Sequence, residues 1–326
     1  MASYFRYTEP VALKTATGQT QVVYNQIAAD FGLVPEPFTL HSPAPDVLAG
    51  VWSIFRETLV CGSRERGEKE SIATAISESN SCPWCADAHT AMLHATGYHK
   101  SSDPGVQALV RWAAESGRAG GQHPPAPLTD APELGGTALT FHFLTRMVTV
   151  FLVERLLPQN DFVRGALQRV GGLLFAKRAA TALPPGASLA LLPPGELPAE
   201  LAWLADNPTV AGAFGRLHWA IEEAAQPFLS DEARRAIEEY LQGWRGEVQP
   251  LSRGWVDPVL AGLSTADRAV AQVALLTALA AHQMCEPVVA DFRSVYPGDK
   301  ALVAVAAWGA FAATRQIGVW MGNWEL

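Results

Sequence analysis

The sequence predicts an all-α protein made of two helical units in tandem. Three observations predict it. Apolar residues recur at helical spacing, with no run of alternating strands. Stretches rich in Gly and Pro interrupt that pattern and mark breaks between segments. Short segments of the first half recur in the second, which points to duplication of one helical unit.

Taken in order, residues 1 to 40 carry turn and extended signals: Thr17-Gly18, Val22-Val23-Tyr24, Pro35 and Pro37. Leu48, Val51, Ile54, Phe55 and Leu59 predict an amphipathic helix over residues 45 to 60. Gly62 and Gly67 mark a break. The run EKESIATAISES predicts a helix over 68–79, interrupted by Ser79-Asn80-Ser81. Ser81 is suited to cap the next helix and Pro83 to its first turn, and that helix ends near Gly97. Residues 118 to 136 read as a loop, and TALTFHFLTRMVTVFLVERLL predicts a long buried helix over 137–157. A second loop, over 183–198, holds Pro184-Pro185-Gly186 and Pro193-Pro194-Gly195. The expected organisation is a first unit with an N-terminal extension over 1–165, a Pro/Gly-rich linker region over 166–198 and a second unit over 199–326.

The duplication is carried by two matches at similar separation. Thr145-Arg146 and the following Val150-Phe151-Leu152 match Thr314-Arg315 and Val319-Trp320-Met321; Pro45 to Gly50 resembles Pro208 to Gly212. Carried along the chain, that separation pairs Cys82 with Leu251, Cys85 with Gly254 and His89 with Pro258, so the second unit is expected to lack the cysteine pair.

Composition sets the limits. With 326 residues, 49% of them hydrophobic and 17% charged, the chain is globular and long enough for two domains. A net charge of −8 argues against a nucleic-acid surface and gives no reason to expect binding to an anionic membrane. The opening MASYFRYTEP lacks the charged start and apolar core of a secretory signal, and apolar runs such as Ala301 to Ala313 are short for a bilayer span. A cytoplasmic location is expected.

The most informative stretch is Cys82-Pro83-Trp84-Cys85 followed by His89, with Glu70 upstream in an alanine-rich helix. Two thiols three residues apart can close a disulfide within one helical turn. A histidine four residues after the second falls on the same helix face. A thiol is a nucleophile only as thiolate, which a helix N-terminus or a neighbouring imidazolium favours. Glu70 is suited to orient His89 or accept a proton through it. Such a group suits attack on a peroxide oxygen. The sulfenic acid formed condenses with the second thiol, and an outside dithiol reduces the disulfide.

Glu70, eleven residues, then Cys-x-x-Cys-x-x-x-His on helices resembles the alkylhydroperoxidase AhpD core of the carboxymuconolactone decarboxylase superfamily. The resemblance covers at least residues 45 to 157, including FHFLTRMVTVFL as the closing helix of the unit. It implies an all-α fold, reduction of hydroperoxides without a cofactor or metal, an external dithiol reductant and a symmetric homo-oligomer. It also implies that Cys85 attacks the peroxide, Cys82 resolves the sulfenic acid, and His89 with Glu70 forms a proton relay. One residue departs: the best-known member has histidine just before the second cysteine, where this chain has Trp84.

Rival readings remain open at this point. Cys82, Cys85 and His89 suit three zinc ligands, with Cys61 or His94 as a fourth, although no second cysteine pair is present. A thioredoxin-like fold would need a strand before Cys-Pro-x-Cys, and a helix precedes it. The cysteines can also be inert in a helical assembly protein. Cys61 and Cys285 stand alone and read as small buried hydrophobes. Trp84 and His142 are candidates for the substrate pocket, against core packing for Trp84 and a hydrogen-bonded core histidine for His142. Arg146, matched by Arg315, reads as structural, at a helix contact.

Overall fold

The computed structural model describes residues 4–120 and 124–322. The first half contains α1 (Gly18–Phe31), α2 (Glu36–Thr39), α3 (Pro45–Phe55), α4 (Arg66–Ser79), α5 (Pro83–Thr96), α6 (Pro104–Glu115), α7 (Ala131–Phe151) and α8 (Asp161–Ala179). The second contains α9 (Pro208–Ala225), α10 (Asp231–Gly243), α11 (Asp257–Leu260), α12 (Thr265–Leu279), α13 (Glu286–Val295) and α14 (Asp299–Gly322). The fold is all-α: among the described residues the only β pairing is an isolated bridge between Phe5 and Leu152.

Local signals set most helix ends. Pro sits in the first turn of α3, α5, α6, α7 and α9, where its missing N–H costs nothing. Asp103, Asn160, Asn207, Ser230 and Ser264 cap α6, α8, α9, α10 and α12 through their side chains. Gly32 and Gly97 end α1 and α5 in the left-handed conformation. The helix expected over 45–60 is α3 continued by a π-helical turn, Arg56–Val60.

Four expectations need correction. Ser81 does not cap α5: it takes φ 53°, and Cys82 is the N-cap. The reversal from α4 is too tight for a cap, because the Cys82 N–H already reaches back to the Ser77 carbonyl at 2.8 Å. The long helix starts at Ala131 and stops at Phe151, since Pro132 opens its first turn and Leu152 turns extended to pair with the N-terminal segment. The loop expected over 118–136 is therefore shorter, and its residues 121–123 lie outside the described part. Finally, the first part of the expected linker region, 166–198, is helical. Its glycines are there for close approach: a Cβ at Gly172 would stand 2.6 Å from His94 Cβ, so α8 packs tightly on α5. The rest, around 183–198, is irregular but tied down, with Glu57 accepting from the Gly186 N–H (2.7 Å) and the Ser188 hydroxyl (2.6 Å).

The two halves pack through matching helices. α3 lies against α9, close enough that a Cβ on Gly50 would be 2.9 Å from Leu217 Cα, and α7 lies against α14, where Phe143 meets Phe311 edge-on at 6.5 Å. The order α4–α5–α7 returns as α12–α13–α14, and one hydrophobic core runs through both units. The insertion before α12 changes the residue pairing expected from a constant separation. Leu251, Gly254 and Pro258 lie in turns and short helices, whereas Cys285 is the N-cap of α13 as Cys82 is of α5. The second unit keeps one cysteine at the helix start and has no cysteine pair. Among the described residues α14 is long and apolar enough to cross a bilayer, with 83% of that stretch buried inside the protein.

Candidate active site

α4 and α5 carry the chemistry. The tight turn between them places Cys82 at the N-terminus of α5 and Cys85 one turn in, with the two Sγ atoms 3.0 Å apart and both residues buried. Both are free thiols. From α4, Glu70 reaches across to α5, where its Oε2 accepts from His89 Nδ1 at 2.6 Å. Its Oε1 accepts from Arg66 Nε at 2.7 Å, an i,i+4 pair along α4. An ionised carboxylate only accepts, so Nδ1 carries a proton; in the neutral ring Nε2 then keeps its lone pair.

The charges are set by these contacts. Burial works to raise the Glu70 carboxyl, but Arg66 and His89 overcome it and hold it below the ordinary value. Burial also opposes ionisation of Cys82. Hydrogen bonds from the Cys85 thiol, the Cys85 backbone N–H and the Thr149 hydroxyl more than offset it, and its pKa falls. Burial pushes Cys85 well above the ordinary thiol, and a charge on Cys82 pushes the same way. The pair therefore loses its first proton at Cys82. A place at the helix start does not make Cys82 the more exposed thiol: 2% of Cys82 and 4% of Cys85 are accessible.

Cys85 and His89 line an apolar cavity of about 300 Å³, whose walls include Phe31, Trp84, Phe141, Leu144 and Phe175. Phe141 meets the His89 ring edge-on at 4.5 Å. Trp84 lines the cavity and also packs edge-on against Tyr4 at 5.4 Å. His142 does not reach this cavity. Its Nε2 lies 2.9 Å from Ser116 Oγ and its Nδ1 3.2 Å from Asn80 Nδ2, which makes it the satisfied core histidine; burial and Arg146 push its pKa well down. Arg146 donates to the carbonyls of Ala278 (2.7 Å) and His142 (2.5 Å), so it bridges the halves through backbone acceptors.

The additional zinc ligands considered do not assemble here. Cys61 Sγ lies 3.7 Å from the Pro184 carbonyl and burial pushes its thiol up to about 11, while the His94 ring stacks on His99 at 3.8 Å. Among the described residues no group of three or more His, Cys, Asp or Glu is placed to hold a metal. Sequence reasoning passed over Arg66, Thr149 and the cavity face of α8. The first was legible as an i,i+4 partner of Glu70. The other two depend on tertiary packing.

No family model matches the chain. It is 38% identical over 333 aligned positions to the alkyl hydroperoxide reductase Rv2159c of Mycobacterium tuberculosis (strain ATCC 25618 / H37Rv), a match spanning 98% of this chain and 95% of that protein. The likeness covers both helical units and not the cysteine region alone. On that identity and coverage, the chain belongs to the AhpD-like alkyl hydroperoxide reductase family.

Proposed function

We propose that this protein is a thiol peroxidase that reduces organic hydroperoxides through Cys85 and Cys82. The observation that carries the reading is the position of Cys85: it opens on an apolar cavity, one wall of which is His89, with Cys82 Sγ 3.0 Å behind it. The name of the relative, an alkyl hydroperoxide reductase, agrees with it.

The charge on Cys82 opposes ionisation of Cys85, so the Cys85 proton needs a defined acceptor. His89 Nε2 takes it, with Glu70 holding Nδ1 and balancing the charge that forms on the ring. Cys85 Sγ attacks the terminal peroxide oxygen and the O–O bond breaks. The alkoxide takes the proton from His89 and leaves as the alcohol, and Cys85 is now the sulfenic acid. Cys82, whose thiolate is favoured by the Cys85 N–H and Thr149, loses its proton and attacks Cys85 Sγ. Hydroxide leaves, gains a proton and departs as water, and the disulfide remains. An external thiol reductant supplies two electrons to reset the pair. The apolar walls favour an organic hydroperoxide over hydrogen peroxide.

One equivalent of cumene hydroperoxide added to the reduced protein tests this. Two thiols per chain should disappear and a Cys82–Cys85 disulfide should appear on peptide mapping, faster than with hydrogen peroxide. Unchanged thiols together with one bound zinc per chain would replace the reading with a structural metal site. Repeated reduction of the pair suits a cytoplasmic setting. A symmetric homo-oligomer is part of the same proposal, supported by the exposed apolar side chains Phe162, Leu173 and Leu174 on α8. A monomer by light scattering at micromolar concentration would remove that part.

A further inference from the structure

A second cavity, of about 220 Å³, lies between the two halves; it shares no lining residue with the apolar one, and Ser81, the residue before Cys82, is part of its wall. Asn80, Ser81, Arg146 and Thr149 line it from the first half, and Trp244, Val248, Ala278 and His282 from the second. Ser81 and Thr149 join this cavity to the chemistry: both are part of the wall, Ser81 adjoins Cys82 in the chain, and Thr149 favours the Cys82 thiolate.

The cavity is polar and its charge is one-sided. Arg146 is half-buried in its wall. Its hydrogen-bond partners are carbonyl oxygens, and among the described residues no carboxylate pairs with it. Burial without a counter-ion pulls its pKa down to about 10. Arg118 and His282 stand at the rim. The one acidic side chain in the lining, Glu247, is turned onto the Arg245 backbone N–H at 2.9 Å. A half-buried guanidinium with only dipoles for partners favours a small anion beside it.

We propose that this cavity is the entry for the reductant, and that it selects a small thiol carrying an anionic group such as a carboxylate. The anion docks on Arg146 and Arg118, and the sulfur approaches Cys82 past the side chain of Thr149. This rests on the reading that Cys82 and Cys85 cycle through a disulfide. The incoming thiolate bonds to Cys82 Sγ as the Cys82–Cys85 bond breaks. The electron pair goes to Cys85, which takes a proton by way of His89. A second thiol equivalent, or the second thiol of a dithiol, loses its proton and attacks the reductant sulfur of the mixed disulfide, releasing Cys82 as thiolate. The reductant leaves as its disulfide, having lost two electrons. Peroxide and reductant thus use separate cavities, and the second unit, without a cysteine pair of its own, builds half of the reductant site.

The test forms the Cys82–Cys85 disulfide with diamide, without peroxide, and follows its reduction by three thiols of like size: 3-mercaptopropionate, 2-mercaptoethanol and cysteamine. Rates are corrected to thiolate concentration and read by acid quench, alkylation and mass spectrometry. The anionic thiol should exceed the cationic one by about 10-fold, the scale of one ion pair near a surface. Arg118→Glu should bring the two near parity, and Val248→Trp, at the exposed rim, should slow all three about 10-fold. Equal rates for the three thiols with wild type, or a preference that survives Arg118→Glu, overturn the inference. Oxidation by cumene hydroperoxide is measured on the same preparations. Failure there counts against the proposed peroxidase and leaves the diamide experiment to decide on the cavity.

Discussion

Glu70 and His89 meet at 2.6 Å from different helices, and the carboxylate is fully buried. A carboxylate in that position is tolerated because each oxygen has a basic partner, Arg66 on one side and His89 on the other. Glu70→Gln keeps the shape and removes the charge. Oxidation of the thiols by peroxide should slow by roughly 100-fold, the usual weight of a positioned proton-transfer group. Stability in urea should fall by about 3 kcal/mol, because the largely buried Arg66 guanidinium loses its ion-pair partner. An unchanged oxidation rate would remove Glu70 from the relay.

Acid should weaken the fold through two buried carboxylates. Glu70 and Glu133 are both held below the ordinary glutamate value of 4.5: burial opposes ionisation in each, and Arg66 with His89, or Lys69 at 2.8 Å with the Ser63 and Arg64 backbone N–H groups, outweigh it. Groups with depressed folded-state pKa values bind more protons when unfolded. Their stabilisation is present above pH 4.5 and is lost as pH falls through the lower folded values. Thermal melts should show a midpoint that drops below about pH 4.5, with a shallower drop in Glu133→Gln. A midpoint that is flat down to pH 3 would contradict the charge assignment.

Single serine replacements separate the thiols. In Cys82→Ser, one equivalent of hydroperoxide should leave a sulfenic acid on Cys85 that dimedone traps. In Cys85→Ser, no rapid oxidation should occur. Trapping on Cys82 in the Cys85→Ser protein, with none in Cys82→Ser, would reverse the roles. Cys61, buried and pushed up to about 11, should resist alkylation of the native protein at pH 8.

Gly172→Val tests the roof of the apolar cavity. The added side chain meets His94, the Ala91 carbonyl and the Ala95 N–H, none further than 3.0 Å from its Cβ. α8 must move off α5, at a cost of about 1–3 kcal/mol. Since Leu167, Gln168 and Phe175 of α8 line the cavity, the preference for cumene hydroperoxide over hydrogen peroxide should shrink. A preference of undiminished size would show that α8 does not shape the pocket.

Glu70, Cys82, Cys85 and His89 were legible because their chemistry is written in local spacing along two adjacent helices, and the structure brings all four together. α4 and α5 were legible within a few residues for the same reason. α8 was not. Gly171 and Gly172 read as part of a Pro/Gly-rich linker, whereas at Gly172 the missing side chain is what lets two helices touch. The reading of His142 turned on Ser116 and Asn80, which stand just past the C-terminal ends of α6 and α4 and leave no mark near it in sequence. The place of Cys285 was hidden by an insertion that no constant separation can follow. The relation between Cys82 and Thr149 is likewise tertiary, so the polar cavity had no linear signature.

The pairing of α3 with α9 and of α7 with α14 has a genetic consequence. Where two identical chains pair about an axis, every substitution is made twice, and a change useful on one side is imposed on the other. Here the partners share one chain. A codon changed near α12 leaves α4 untouched, and the partner is always present in equal amount. One half can therefore do without a cysteine pair and serve as a wall, while the other keeps its thiols.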